Sequence, residues 1–383
     1  MLHRLKQLLQ PDHLHNLALR RGAISTLADQ VAVIREHLRS RDKQLRPAGE
    51  RPRVFLAVRP GGWESAGLID TWAQVAEVVP MDYDPAWDPY ARSWMAKGRV
   101  AFRQALLEQV HAAHGQAPLD LFFGYLSGGW TDPAAIESIN QLGPITANIS
   151  FDDSHRFWGR PRRGFWTGSA TLAPAFDLCI TLQDPRDAQK YRYVGARPLH
   201  LLPGGNEAVF AQGEPAEQRD VPVSFVGQDY GRRRRIVQAL RDAGIEVTAR
   251  GLGWEDGPID QAGMLQLFRR SLLVLGVGYV GKKRRTALKG RDFEIPMTGA
   301  AYLTTHNDRL AECFEPNREI LLYRDTGDLV QIARRMIAEP AQAIDVGQAG
   351  RRRALADHRW SQRWRQLLEL LGDTAPASTA TID

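Results

Sequence analysis

Cysteine is nearly absent: Cys179 and Cys313 are the only two in 383 residues, each within an apolar segment. That leaves no disulfide framework and reads as two buried thiols in a reducing compartment. Nowhere do ~18 apolar residues run together, so no membrane-spanning helix is expected. Residues 1–10 carry basic side chains without the apolar core of a signal peptide. The expected location is the cytoplasm, with peripheral contact at the inner membrane left open. The arginine runs at 232–235, 284–285 and 351–353 lack interleaved aromatics, so base stacking and a nucleic-acid partner are not indicated. Neither half has a full Gly-x-Gly-x-x-Gly turn with its acidic partner, which argues against a dinucleotide-dependent oxidoreductase. No repeat of short period is present.

What is present is an ordinary soluble composition, 43% hydrophobic and 25% charged, on a chain long enough for two domains that each bury a core. The net charge of +6 suits anionic ligands or an anionic membrane surface. Residues 1–50 read as a helical arm, with Leu27, Val31, Ile34 and Leu38 at helical spacing and basic residues on the other face. The arm is expected to pack on the body; a membrane surface or an oligomer contact are the alternatives.

From residue 51 onward, strands and helices alternate. Strands are expected at 53–58, 75–79, 119–126, 145–150, 176–182 and 199–203, then at 223–226, 245–249, 272–276, 301–304 and 319–323. Two parallel, helix-covered sheets follow from that alternation. The domains are expected at 51–205 and 206–357, with 358–383 as a closing helix and polar tail. Hinge candidates are 204–207 and the polar stretch 213–220.

Several turns have the composition of ligand loops. Gly61 and Gly62 follow the first strand, where an open α/β sheet presents ligands, though a plain turn would look the same. Asp152, Asp153 and His155 follow the fourth strand; they would supply a base for an acceptor hydroxyl, or simply cap a helix. In the second half Gly227 leads to the arginines at 232–235 at a helix start, an arrangement that favours phosphate. Gly278 and Tyr279 follow the strand at 272–276.

The stretch from Leu288 to Gly299 organises the rest. Gly290 opens a short helix and Gly299 closes it, with Pro296 tolerable in the first turn or just beyond. Lys289 and Arg291 would then stand beside free N–H groups that favour an anion, and Glu294 would accept hydroxyls such as those of a ribose.

Residues 288–330, LKGRDFEIPMTGAAYLTTHNDRLAECFEPNREILLYRDTGDLV, resemble the C-terminal half of the group 1 glycosyltransferases, and most nearly their spore-maturation branch. The resemblance extends loosely over 50–371 and is specific in the last third. It implies a GT-B fold: two Rossmann-like, doubly wound parallel-sheet α/β domains facing a cleft. It also implies a UDP- or GDP-linked sugar as donor substrate, with no cofactor and no metal. Glu294 matches the family's ribose-binding Glu, and the Gly61-Gly62 loop matches the one facing the donor phosphates. Gly278 and Tyr279 stand where the backbone meets the base. Gln228 stands where the first diphosphate cation is often found, which leaves Arg234, by register, to neutralise the leaving group. Thr286 stands where retaining relatives carry a second Glu, so inversion with Asp152 or Asp153 as base remains open. The run LADHRWSQRW resembles the family's closing signature, with His358 expected to be structural.

The expected function is transfer of a sugar from a nucleoside diphosphate to an unidentified glycan, lipid-linked or protein acceptor. The alternatives are a non-catalytic nucleotide-sugar or glycan-binding protein, and an epimerase or phosphorylase on the same fold.

Overall fold

Short apolar runs become strands here because most are buried along nearly their whole length, as strands covered by helices on both faces must be. The computed structural model describes residues 24–47, 49–211, 219–279 and 286–372. The expected tail, the first half of the arm and most of the 213–220 hinge lie outside them.

The chain divides into two units: residues 1–201 with 363–383, and residues 202–362. In the first unit β1 (Arg53–Ala57), β3 (Leu121–Gly124) and β4 (Ile145–Ser150) are buried at every position, whereas β2 (Glu77–Pro80) is exposed at both ends. The reason is position: β2 is an edge strand, where Pro80 also costs no ladder bond. A small antiparallel hairpin, β5 (Pro161–Arg162) with β6 (Phe165–Trp166), stands where no element was expected. β7 (Leu178–Thr181) and β8 (Pro198–His200) complete the parallel sheet, in the order β2-β1-β3-β4-β7-β8.

The second unit repeats the plan with β9 (Val221–Val226), β10 (Val247–Arg250), β11 (Ser271–Leu275), β12 (Ala301–Thr305) and β13 (Leu321–Tyr323). Their order is β10-β9-β11-β12-β13, all parallel. Both units are doubly wound, and strand order reverses between β1 and β3 and again between β9 and β11. Helix starts are set by side-chain caps at Asp132, Asn206, Asp260, Asn307 and Asp325, each accepting a first-turn N–H.

The described part of the arm packs on the body as expected: the helix Leu27–Ser40, started by a Thr26–Asp29 capping box, buries Val31, Ile34 and Leu38 in the first unit. It is fastened through Asp177, whose fully buried carboxylate meets His37 at 3.0 Å, Arg41 at 3.3 Å and Lys43 at 2.6 Å. The second unit begins at 202, ahead of the expected hinge. There Gly204 and Gly205 are buried, and Gly205 pairs in parallel with Arg359. A Cβ on Gly204 would come within 2.7 Å of the Trp360 nitrogen, so only glycine fits this pairing. Cys179 is buried as expected; Cys313 is half-buried, and the two thiols are not joined to each other.

Candidate functional site

Ligands of open α/β sheets sit at the carboxyl ends of the strands where strand order reverses. In the second unit that point is flanked by the loops after β9 and β11. Gly227 follows β9, and the Arg233 guanidinium lies 3.1 Å from where a Cβ on Gly227 would be. Arg233 donates to the Gln228 carbonyl at 2.8 Å and lies over the Tyr230 ring at 4.1 Å. Burial lowers its guanidinium from the ordinary value, and the nearby charge of Arg291 lowers it further. Arg232 lies over the Tyr279 ring, 5.4 Å from its centroid. The helix Arg233–Asp242 has no side-chain cap, so its positive end is left to solvent or an anion.

The expected diphosphate cation is directed elsewhere. Arg234 donates to Asp229 at 2.6 Å and to the Gly253 carbonyl at 2.7 Å, and stands 3.6 Å from Glu255. The helix begins at Arg233, so the arginines stand at its start as expected. Neighbours on a helix point about 100° apart, so Arg233 packs on Gln228 and Tyr230 while Arg234 turns to Asp229 and the loop after β10. Among the described residues, neither Arg232 nor Arg233 has a carboxylate within salt-bridge distance.

The stretch around Gly290 forms the helix Arg291–Met297, which Gly299 ends at φ 78°. Pro296 lies in the last turn, not the first, where its missing N–H leaves the Asp292 carbonyl without its usual partner. Asp292 ties the segment down: its carboxylate accepts the Lys289 N–H at 2.8 Å and the Tyr302 hydroxyl at 2.8 Å. Lys289 extends its ammonium to the carbonyls of Val277 and Tyr279, at 3.1 and 3.2 Å, and so clasps the loop after β11. Arg291 lies over Phe268, with its Nε 3.7 Å from Glu294. Glu294 is only 7% exposed. Among the described residues its carboxylate takes no hydrogen bond. Burial pushes it up to about 7, against the lowering effect of Arg291.

Gly278 donates its N–H to the Thr305 hydroxyl at 3.2 Å and its carbonyl accepts the Ala287 N–H, so its backbone is already engaged. The glycine that the loop needs is Gly276, which sequence reasoning passed over. A Cβ there would run into the hydroxyls of Tyr302 and Thr304, whereas one on Gly278 meets nothing nearer than 3.6 Å. Gly276→Ala is therefore expected to cost about 1–3 kcal/mol of stability by overpacking, and Gly278→Ala little, when the two are compared by chemical denaturation.

In the first unit Gly61 and Gly62 take φ of 126° and 57°, and the Gly61 N–H donates to the Ser65 hydroxyl at 2.7 Å. The turn is thus glycine-dependent, as its composition suggested. The three residues after β4 separate. Asp152 is exposed and its carboxylate lies 3.7 Å from His155 Nε2. Asp153 points inward, fully buried, and accepts the Tyr191 hydroxyl at 2.9 Å. Beside it Lys190 pairs with Asp187 at 2.9 Å. Burial, then the Asp187 charge, raises Asp153 to about 7. Asp152 and His155 remain within reach of a solute; Asp153 does not. His358 is structural as expected: it is buried between Phe293 and Phe314 and meets the Cys313 carbonyl at 3.0 Å. Among the described residues, no group of three His, Cys, Asp or Glu is placed to hold a metal, and no helix is long and apolar enough to cross a membrane.

Residues 232–369 match the model of a family described as glycosyl transferase-like. No curated protein matches the chain. Among solved structures, a sucrose-phosphate synthase from Thermosynechococcus elongatus is similar at TM-score 0.56 and 14% identity, over 84% of this chain and 99% of the other. Anabaena HepE, in complex with UDP-glucose, is similar at TM-score 0.55 and 14% identity, with the same coverage. AviGT4, a glycosyltransferase involved in avilamycin A biosynthesis, follows at TM-score 0.50 and 17% identity, over 84% and 98%. The chain has the GT-B fold: two Rossmann-like α/β units, each built on a parallel sheet.

Proposed function

We propose that the chain is a glycosyltransferase that binds a nucleoside-diphosphate sugar on its second unit and passes the sugar to an acceptor hydroxyl. One observation carries this reading. At the switch point between β9 and β11, Arg233 lies near Arg291 and Arg232 lies over Tyr279; among the described residues neither Arg232 nor Arg233 has a carboxylate partner, and Arg291 lies beside a buried carboxylate, Glu294, that takes no hydrogen bond. Unmatched guanidinium groups suit a diphosphate, whose growing negative charge must be met as the sugar leaves. A buried acceptor suits vicinal hydroxyls. The match to a glycosyl transferase-like family over 232–369, and a fold shared with HepE bound to UDP-glucose, support a UDP-sugar as the donor. The group transferred is taken to be a hexosyl group. In this reading Asp152 and His155 are the groups for the acceptor proton, Arg233 replaces Arg234 as the diphosphate cation, and guanidinium groups do the work of a metal.

The test is a thermal-shift screen with UDP, GDP, dTDP, ADP and CMP, and their sugars, with magnesium and with EDTA. Stabilisation by one diphosphate family in both conditions is expected. For that ligand, Arg233→Ala should weaken binding roughly tenfold to a hundredfold, the loss of charged hydrogen bonds worth about 1.5–3 kcal/mol. Arg234→Ala should leave affinity near the starting value, because its partners are Asp229, Gly253 and Glu255. No shift with any nucleotide would leave the non-catalytic glycan-binding alternative. A larger loss from Arg234→Ala would return the role to that residue.

A further inference from the structure

Between Asp153 and Asp177 the chain has no acidic residue, and it places Arg160, Arg162, Arg163 and Phe165 in one short segment. The fold makes a rigid hairpin of it. β5 and β6 pair Arg162 with Phe165 and Pro161 with Trp166, across a two-residue turn whose residues, Arg163 and Gly164, both have positive φ, 48° and 83°. Positive φ at both central positions is the tight turn whose twist suits a hairpin. The neck is pinched shut: the Gly168 N–H donates to the Trp158 carbonyl at 2.8 Å, and the Thr167 N–H to that of Arg160 at 3.2 Å. Gly128 and Gly129 donate to the carbonyls of Gly168 and Thr167, which fixes the hairpin to the loop after β3, at the carboxyl edge of the first sheet.

Beyond that neck the side chains are open. All of 160–165 is exposed, Phe165 at 53%. Arg162 donates to the Pro89 carbonyl at 2.7 Å, which brings the loop carrying Tyr90, 82% exposed, alongside. The Tyr90 loop carries exposed acids, Asp88 among them, whereas the hairpin has none and sets Arg160, Arg162 and Arg163 around the exposed Phe165; an exposed ring among arginines is the pattern of a contact with the interface of an anionic bilayer. Rings settle at headgroup depth, and cations answer the surface charge. A single-stranded polyanion fits less well. One face of Phe165 already carries Arg99, 5.3 Å from the ring centroid, and is not open to stack on a base.

We propose that this hairpin docks the carboxyl edge of the first unit on an anionic lipid surface. The site is independent of the donor reading and differs from the arm contact expected from sequence. The test is co-sedimentation of the full chain with vesicles of phosphatidylcholine alone, or of phosphatidylcholine with phosphatidylglycerol. Binding only to the anionic vesicles is expected. Replacing Arg160, Arg162 and Arg163 together by serine should lower partitioning on the order of a hundredfold, roughly fivefold per arginine, and the triple lysine variant should retain it. Phe165→Ser should weaken binding severalfold with the arginines intact. Each variant is first shown to melt as the starting protein does. Absence of binding to anionic vesicles, equal binding by the serine variant, or capture by heparin or RNA with no vesicle binding would each overturn the proposal.

Discussion

Asp177→Ala is expected to cost about 3–5 kcal/mol of stability, the loss measured when one member of a buried ion pair is removed. Its carboxylate is fully buried among His37, Arg41 and Lys43, and also accepts the Thr146 N–H at 2.9 Å. Lys43 is the reason for the size of the effect. Its side chain is 4% exposed, and without Asp177 its ammonium keeps only the Asn140 and Pro144 oxygens, at 2.6 and 2.8 Å. An unmatched buried charge is more costly than the pair was worth. Accordingly, the double variant Lys43→Met with Asp177→Leu should recover part of the loss. The pH dependence follows from sign. Burial pushes the Asp177 carboxyl up, but the His37 hydrogen bond and the Lys43 charge outweigh it and hold it below the usual carboxylate range. Its contribution is therefore present above the unfolded value of about 3.9 and is lost as pH falls through the lower folded value. Denaturation midpoints at neutral and acid pH, with proteolysis of the arm as a local probe, measure both. A loss under about 1 kcal/mol would show that the pair behaves as a solvated surface contact.

That cluster was invisible in the sequence for a physical reason. Lys43 and Asp177 are 134 residues apart, and no periodicity connects two charges that meet only through the fold. Strands were legible because nearly continuous apolar runs such as the one in β11 have one stable destination, a sheet covered on both faces. The Gly61-Gly62 turn was legible because its chemistry is local. Which side chain of a run faces the site was not. Asp152 and Asp153 are adjacent, but the helix Asp153–Arg156 has four residues and no apolar stripe to tell inside from outside. The arginines at 232–235 look alike until the helix start is known. Family register singled out Arg234, but its guanidinium is bonded to Asp229 and the Gly253 carbonyl, partners that no register shows. Likewise Lys289 suited a phosphate by charge, yet its ammonium donates to carbonyls of the loop it clasps. No spacing rule relates Asp292 to Tyr302.

Glu294→Gln is expected to stabilise the free protein while weakening its donor complex, and that opposition separates a binding carboxylate from a structural one. The carboxyl is raised by burial to about 7, so the folded state holds a proton that the unfolded chain, near 4.3, has released. Between those values the free protein loses stability as pH rises, and above about 7 it carries a buried charge that Arg291, 3.7 Å away, only partly offsets. Glutamine removes that burden, so the melting temperature of the variant should exceed that of the parent at pH 8 and converge with it near pH 5. A donor reverses the balance. Hydroxyls that donate to Glu294 favour its charged form, so affinity should rise with pH through about 7 and level off above it. A sugar-capped diphosphate has no proton to lose in that range, so the profile reports the protein. In the variant the dependence should disappear and affinity at pH 8 fall by roughly tenfold to a hundredfold, the scale of about 1.5–3 kcal/mol for hydrogen bonds to a charge. Calorimetry with the nucleotide sugar identified by thermal shift measures the profile, and proton release in two buffers checks its origin. Were Glu294 simply a structural partner of Arg291, the substitution would lower the melting temperature and leave the pH profile unchanged.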